Sequence, residues 1–148
     1  MTKQISKTRA ETVPKKVSGE RYFEGVGRRK TAVARVRVFP GSKDLEVTVN
    51  GKSFKKYFPL VKSQNVVTAP FRDLSLQKFN VSVLVGGGGL NAQAEAIRLG
   101  VARALVAMNP SHRPNLKTSG YLTRDQRMVE RKKPGLRKAR RPQQWRKR

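Results

Sequence analysis

Cationic side chains cluster around the first long alternating segment of the sequence. Arg35 and Arg37 alternate there with apolar residues, and the run Gly27-Arg28-Arg29-Lys30 lies just before them. Guanidinium groups on one strand face bind phosphates through paired hydrogen bonds, and cations spaced along a strand can follow a phosphate backbone. The alternative is an edge strand that its charge protects from aggregation. We predict phosphate contacts by Arg28, Arg29, Lys30, Arg35 and Arg37.

A second group of cations lies at the carboxyl-terminal end. The last eighteen residues hold ten Lys or Arg and no Asp or Glu. Because such a run has no internal counter-charge, we expect it to be extended or disordered until a polyanion neutralises it. Arginine and aromatic planes, including Tyr121 and Trp145, can stack on unpaired bases. We predict nucleic-acid contacts by Arg131, Lys132, Lys133, Arg137, Lys138, Arg140, Arg141, Arg146, Lys147 and Arg148.

The composition as a whole agrees with a polyanionic partner. The 148 residues carry 34 Lys and Arg against 9 Asp and Glu, a net charge of +25. A compact chain of that charge repels itself unless a partner supplies counter-charge. With no cysteine and one histidine, thiolate sites and histidine metal clusters are not expected, and we expect no cofactor. No apolar run reaches the roughly 18 residues of a membrane span, so we expect no membrane partner.

Charge density divides the chain into three parts. Residues 1–20 form a flexible basic arm, residues 21–109 a globular body and residues 110–148 an extended basic tail. The arm lacks the apolar core of a secretory signal, and its acids Glu11 and Glu20 argue against an organelle-targeting segment. The body is long enough for a modest hydrophobic core.

Four segments of the body are predicted to be strands: Tyr22–Val26, Thr31–Phe39, Leu45–Val49 and Phe79–Val85. The last three alternate apolar and polar residues with a period of two, the pattern of a strand with one buried face. Turn-forming residues at 40–44 separate the second segment from the third, so we expect these two to form a hairpin.

Helical patterns mark two short segments and a long one. We expect short helices over Ser53–Phe58, with Ser53 as the N-cap, and over Val61–Thr68, ending before Pro70. A long helix from Ala92 to Met108 is expected to be capped by Asn91. Its apolar stripe consists of Ile97, Val101, Leu105 and Met108. The prediction is therefore an α+β body: a four-stranded sheet packed by one long helix and short helices.

No catalytic constellation is present among the acids and the single histidine. Glu95 is expected to pair with Arg98, three residues later on the long helix. His112 lies in a loop with two prolines and has no serine or cysteine nucleophile arranged around it. We therefore expect no enzyme activity.

Four glycines, Gly86–Gly89, join the last strand to the long helix. Backbone N–H groups of such turns can bind a phosphate at a helix N-terminus. A nucleotide-binding P-loop ends in Gly-Lys-Ser/Thr, whereas Leu90-Asn91-Ala92 follows here. We interpret the glycines as a sharp turn with close helix-to-sheet packing, and direct contact with an RNA phosphate is the alternative.

Three longer motifs resemble a known family. Residues 87–105, GGGLNAQAEAIRLGVARAL, resemble the signature of ribosomal protein nine of the small subunit. Residues 25–36, GVGRRKTAVARV, and residues 131–141, RKKPGLRKARR, are similar to the flanking motifs of that family and stand in the same order. The resemblance covers about residues 21–148.

The resemblance implies a fold like the second domain of small-subunit ribosomal protein five, with a left-handed βαβ crossover. The general rule for such crossovers favours the opposite hand. The resemblance also implies a structural protein in the head of the small subunit, bound to small-subunit ribosomal RNA and beside neighbouring ribosomal proteins. The cations within 28–37 and 131–141 are then expected to contact that RNA, in a cytoplasmic rather than an organellar ribosome.

The resemblance further implies that the end of the tail contacts the anticodon stem-loop of the peptidyl-site tRNA. Lys147 and Arg148 stand where the family has its terminal Lys-Arg. Arg146 replaces the usual serine and adds a charge, so the tRNA contact is expected to be tighter and less finely placed. Trp145 keeps an aromatic plane.

Two other functions stay open from the sequence. A small phosphotransferase of the same fold type would hold nucleotide phosphates on its glycine-rich loop, but residues 86–92 offer no lysine, serine or acid. A nonspecific nucleoid protein would bind duplex DNA as well as ribosomal RNA.

Overall fold

Five strands form one open mixed sheet in the computed structural model, which describes residues 21–42 and 44–144. They are β1 (Phe23–Arg29), β2 (Ala32–Pro40), β3 (Glu46–Val49), β4 (Lys52–Ser53) and β5 (Phe79–Gly86). Their order across the sheet is β1-β2-β5-β3-β4. All neighbours are antiparallel except β3 and β5, which run parallel. The predicted α+β class is confirmed, and the two-residue strand β4 is an addition to the four expected strands.

The helices of the described residues follow in chain order. They are α1 (Phe54–Tyr57), α2 (Val61–Asp73), α3 (Leu90–Met108) and α4 (Arg113–Thr118), with a 3-10 turn over Pro110–His112. The long helix α3 packs across β1 and β2, and α2 lies beside α3. The structure therefore has one sheet layer and one helix layer.

The hydrophobic core lies between the sheet and α3. Alternate residues of β2 and β5 point toward the helix and are buried: Ala32, Ala34, Val36, Val38, Val81, Val83 and Val85. From α3, Ile97, Val101 and Leu105 are buried against them. The predicted helical stripe is confirmed, with Met108 half-buried at its end.

Glycines bring α3 into backbone contact with β1. A Cβ atom on Gly27 would lie 1.9 Å from the carbonyl oxygen of Ala96, and one on Gly25 would lie 2.2 Å from that of Gly100. A Cβ atom on Gly100 would meet Cγ2 of Val36 at 2.7 Å. Side chains at these positions would separate the layers, so the three glycines set the spacing between strand and helix.

The expected hairpin of the second and third strands is wrong. β5 lies between β2 and β3, with Val38 of β2 beside Val81 and Val47 of β3 on the other side of Val81. After β2 the chain therefore crosses to the far side of β5 instead of turning back. The strands β3 and β5 and the helix α2 form a βαβ unit, and its left hand stays a prediction from the resemblance.

The strand β1 extends beyond its predicted end at Val26. It continues through Gly27 to Arg29, which pairs with Ala32 of β2. The turn is thereby confined to Lys30 and Thr31, and Lys30 adopts a φ of +50°. Gly27 does not break the strand because it faces α3, where a side chain has no room.

The expected boundaries of two helices change as well. α2 continues through Pro70 to Asp73, and burial of its apolar residues offsets the roughly 3 kcal/mol that an internal proline costs. Asn91 is not the cap of α3, because the helix begins at Leu90 with Gly89 as its N-cap. The side chain of Asn91 instead accepts a hydrogen bond from Ser63 of α2 at 3.3 Å.

The folded body continues beyond residue 109. Leu116 of α4 is fully buried in the core, and Tyr121 and Leu122 pack against it. The basic part of the tail therefore starts later than the change in charge suggested. The arm 1–20 and the last residues 145–148 lie outside the described residues, and disorder of the tail in the absence of RNA stays a prediction.

Replacing Gly27 with alanine should destabilise the fold by about 3 kcal/mol, at the upper end of what overpacking costs, because α3 must move off β1. Gly86→Ala is the matched control, since a Cβ atom there meets nothing within 4 Å. Urea unfolding followed by circular dichroism measures both. Equal midpoints for the two variants would contradict the role of Gly27 in layer spacing.

Candidate nucleic-acid interface

The face of the sheet opposite α3 carries three arginines. Successive side chains of a strand alternate between its faces, so Arg28 of β1 and Arg35 and Arg37 of β2 point away from the helix layer. The register agrees, with Arg28 beside Val33 and Val26 beside Arg35. We define the open face as the outward-pointing residues Val26, Arg28, Val33, Arg35, Arg37 and Leu84.

The open face keeps most of its positive charge. Glu24 is its ion-pair partner within the described residues, with carboxylate oxygens 3.7 Å from Nε of Arg35 and 3.4 Å from Nε of Arg37. Exposed pairs of this length contribute little. The guanidinium of Arg37 also lies 4.9 Å from the centre of the Tyr22 ring. These contacts orient the arginines without neutralising them, and Lys30 adds an exposed cation at the β1–β2 turn.

Arg29, one of the five predicted contacts, points into the protein instead. Its side chain is 13% exposed, with Nε 2.5 Å from Glu95 on α3 and Nη2 3.0 Å from Asp125. Nη1 donates to the backbone carbonyls of Asp125 and Arg127. The expected pairing of Glu95 with Arg98 is therefore wrong. Arg29 joins β1, α3 and the start of the tail, and we call Arg29, Glu95 and Asp125 the clasp.

An aromatic contact supports the clasp. The hydroxyl of Tyr121 donates to Asp73 at 2.7 Å, and the guanidinium of Arg98 lies 5.2 Å from the centre of the Tyr121 ring. Burial and the hydrogen bond to Asp73 raise the pKa of Tyr121. Tyr121, which leads into the tail, is thus held by α2 through Asp73 and by α3 through Arg98.

Asp125, one of the two acids of the clasp, stays ionised under ordinary conditions. Hydrogen bonds from the side chain and backbone of Arg127, with the nearby charge of Arg29, lower the pKa of Asp125 from 3.8 to about 2. The clasp was not predicted from the sequence. A signal was present, because Asp125 is one of two acids in the otherwise basic stretch 110–148.

The predicted tail cations within the described residues lie in and just before a small closed loop. Leu136 and Pro142 form an isolated β-bridge, and the backbone N–H of Arg137 donates to the backbone carbonyl of Arg141 at 2.8 Å. Arg140 pairs with Glu130, with Nε 2.9 Å from the carboxylate. Arg137, Lys138, Arg140 and Arg141 are exposed within this loop, and Arg131, Lys132 and Lys133 are exposed just before it. The predicted tRNA contacts Arg146, Lys147 and Arg148 lie outside the described residues.

The glycine loop is built as a turn over the start of β2. Gly87 and Gly88 have positive φ angles, and a Cβ atom on Gly87 would lie 2.4 Å from the carbonyl oxygen of Thr31. The side chain of Gln93 donates to the carbonyl of Gly87 at 3.0 Å. These contacts agree with our interpretation of the glycines as a sharp turn. Residues 21–42 and 44–144 contain no group of acids, histidines or cysteines that could hold a metal ion.

The family model described as ribosomal protein S9/S16 matches residues 27–148. The chain belongs to the ribosomal protein S9/S16 family. Small ribosomal subunit protein uS9 of Nostoc punctiforme is 51% identical over 133 residues, which cover 88% of this chain and 95% of that protein. Small ribosomal subunit protein uS9 of Desulfovibrio desulfuricans is 49% identical over 130 residues, covering 87% and 98%.

Membership of the S9/S16 family decides between the function classes left open by the sequence. The chain is a structural constituent of the small ribosomal subunit and not an enzyme, which excludes the phosphotransferase alternative. Its partners are ribosomal RNA and other ribosomal proteins, and its location is the ribosome. Within residues 21–42 and 44–144, no helix is long and apolar enough to span a membrane.

The clasp predicts unequal effects for two arginine variants. Arg29→Met should lower the free energy of unfolding by about 2 kcal/mol, because the partly buried carboxylates of Glu95 and Asp125 lose their charged hydrogen-bond partner. Arg127→Met removes an exposed pair with Asp125, two residues away, and its side chain is 90% exposed, so it should lower the free energy of unfolding much less. Urea unfolding compares the two. Equal loss in both variants would mean that Arg29 is no more structural than a surface arginine.

The lowered pKa of Asp125 predicts a response to acid. Stability from its ionised form is present above its ordinary pKa of 3.8 and is lost as pH falls through about 2. The backbone N–H of Arg127, which donates to Asp125 at 2.9 Å, reports this by NMR. Its shift should titrate near pH 2, and Arg127→Met should move the Asp125 carboxyl titration upward. A wild-type midpoint near 3.8 contradicts the pairing.

Proposed function

We propose that this protein holds small-subunit ribosomal RNA in the head of the subunit through the open face of its sheet. The observation that carries the proposal is the register of β1 and β2, which puts three arginines on one surface that no described helix covers. RNA contacts come from Arg28, Arg35 and Arg37, with Lys30 at the adjoining turn. Arg29 is omitted because its donors already bind Glu95, Asp125 and Arg127.

The charge of the open face suits contacts with a phosphate backbone. Guanidinium groups bind phosphate oxygens in forked pairs, and such charge-assisted bonds are about twice as strong as neutral ones. Neutralising a phosphate also releases condensed counterions, which makes the affinity depend on salt. Glu24 orients Arg35 and Arg37 from 3.7 and 3.4 Å without cancelling their charge. RNA phosphates can therefore displace Glu24 at small cost.

The tail provides the second RNA contact of the proposal. Its exposed cations lie within and just before the loop closed between Leu136 and Pro142. The clasp and Tyr121 fix where this segment leaves the body. The tail thus begins at a defined position and direction, and its RNA contacts order the remainder.

The proposed role in translation lies at the end of the tail. Arg146, Lys147 and Arg148 contact the anticodon stem-loop of tRNA in the peptidyl site, with Lys147 and Arg148 matching the family's terminal pair. We further propose that the ribosome is a cytoplasmic, bacterial-type one, which the similarity to relatives from Nostoc punctiforme and Desulfovibrio desulfuricans supports.

Removing the open-face arginines tests the body contact. The triple change Arg28→Gln, Arg35→Gln and Arg37→Gln should weaken binding of the full chain to small-subunit ribosomal RNA about tenfold or more, and reduce the salt slope by roughly 0.7–0.9 per lost phosphate contact. The control changes Lys52, Lys55 and Lys56 to glutamine. These exposed lysines lie in β4 and α1, so the net charge falls equally.

Filter binding over a salt series measures both triple variants. Equal weakening of RNA binding would show that only net charge matters and would contradict the interface. Equal affinity of the wild-type chain for duplex DNA and for ribosomal RNA would show that the interface does not discriminate ribosomal RNA.

Deleting Lys147 and Arg148 tests the tRNA contact. The body keeps all its cations, so small subunits should assemble normally. Affinity for peptidyl-site tRNA should fall on the order of tenfold, because charged contacts to the anticodon stem are lost. Purified subunits with and without the deletion are compared at fixed salt. Unchanged tRNA affinity and unchanged reading-frame accuracy in assembled subunits would contradict the assignment.

A further inference from the structure

The open face is apolar as well as basic. Val26, Val33 and Leu84 are 36%, 43% and 57% exposed. The register interleaves them with the arginines: Arg35 lies between Val26 and Leu84, and Val33 lies between Arg28 and Gly86. Contacts to phosphates alone would leave this aliphatic surface in water.

A shallow depression lies beside these apolar residues. It has a volume of about 370 Å³ and is lined by Val33, Arg35, Asn50, Leu84, Val85 and Gly86. Gly86 contributes no side chain, and the amide of Asn50 is held to the backbone of Val85 by two hydrogen bonds of 2.9 Å. The floor is therefore fixed before anything binds, and its walls are aliphatic on one side and cationic on the other.

The charge of the chain limits what can cover this face. The arm 1–20 has five basic and two acidic residues, and a second copy of the chain carries +25, so the open-face arginines repel both. An RNA duplex offers phosphates and riboses but hides its base faces. Unpaired nucleotides offer phosphates together with flat apolar bases, which stack on side chains and on guanidinium planes.

We infer that the open face binds an unpaired segment of RNA, with its bases and riboses on Val26, Val33 and Leu84 and its phosphates on Arg28, Arg35 and Arg37. This inference rests on the proposed function and specifies the form of RNA that the face accepts. The Tyr22 ring and the guanidinium of Arg37, 4.9 Å apart, supply a preformed stack at one edge of the face. An adjoining base extends that stack.

The test uses the full chain with two RNA probes of equal length and sequence, one unpaired and one duplex. Val33→Thr with Leu84→Thr removes apolar surface and keeps the arginines. Leu60→Thr with Val61→Thr is the control, because these residues are also exposed, 59% and 67%, but lie at the start of α2. Fluorescence anisotropy at fixed salt gives the affinities, and methyl NMR of the wild-type chain reports contact at Val33 and Leu84 directly.

We expect the Val33 and Leu84 variant to lose on the order of tenfold in affinity for the unpaired RNA. A loss of that size corresponds to weaker apolar contact with one or two bases. Its duplex affinity and both affinities of the control should stay unchanged. The methyl resonances of Val33 and Leu84 should shift with unpaired RNA and not with duplex. Equal shifts with both probes, or equal loss of affinity for both, would overturn the inference.

Failure of this inference can be separated from failure of the proposed function. If the triple arginine variant weakens RNA binding while the Val33 and Leu84 variant and the methyl resonances show no change, the interface stands. The apolar strip then belongs to a protein neighbour, and unpaired RNA is refuted as its occupant. If the triple arginine variant itself has no specific effect, the proposed interface is wrong and this inference falls with it.

Discussion

Backbone contact between β1 and α3 is the constraint on which the rest of the structure depends. Gly25 and Gly27 on the strand and Gly100 on the helix let the two elements approach more closely than any side chain would allow. The helix layer then covers one face of the sheet, and alternation along β1 and β2 sends the intervening arginines to the other. One packing requirement thus creates both the core and the open basic face.

The same geometry explains why neighbouring cations have different roles. Arg28 and Arg29 are adjacent in sequence, but a strand directs them to opposite faces. Arg28 joins the open face, whereas Arg29 reaches over the helix side to Glu95 and Asp125. A chain of +25 therefore uses one of its arginines in partly buried ion pairs that attach its own tail to the body. Attachment at Asp125 gives the proposed tail contacts a fixed starting point.

Local patterns predicted much of the fold. Alternation located three of the five strands, the segment Tyr22–Val26 was a fourth prediction, and helical spacing identified the buried stripe Ile97, Val101 and Leu105. The partner of each strand could not be obtained this way, because the pairing of β3 with β5 joins segments about thirty residues apart. Alternation of apolar and polar residues shows that one face of a strand is buried, but it does not show which strand lies beside it.

The residues of the candidate site were largely predicted from the sequence, but the directions of their side chains were not. The cations of 28–37 were found from charge and spacing, but the inward turn of Arg29 required knowing that β1 continues past Gly27. Glu95 likewise has a local partner at Arg98 and a distant one at Arg29. It binds the distant one, whose guanidinium is held in place by Asp125 and the carbonyl of Arg127 as well. The separation of two residues in the sequence does not show which of two arginines an acid will bind.

The most direct test of the central claim, that the open face meets ribosomal RNA, uses the absence of cysteine from the chain. A single cysteine at Val33 or at exposed Ala107 of α3 can carry a tethered iron chelate into assembled small subunits. Hydroxyl radicals from position 33 should cleave nearby ribosomal RNA strongly, and those from position 107 should cleave less or elsewhere. Strong cleavage from position 107 with none from position 33 would contradict the account.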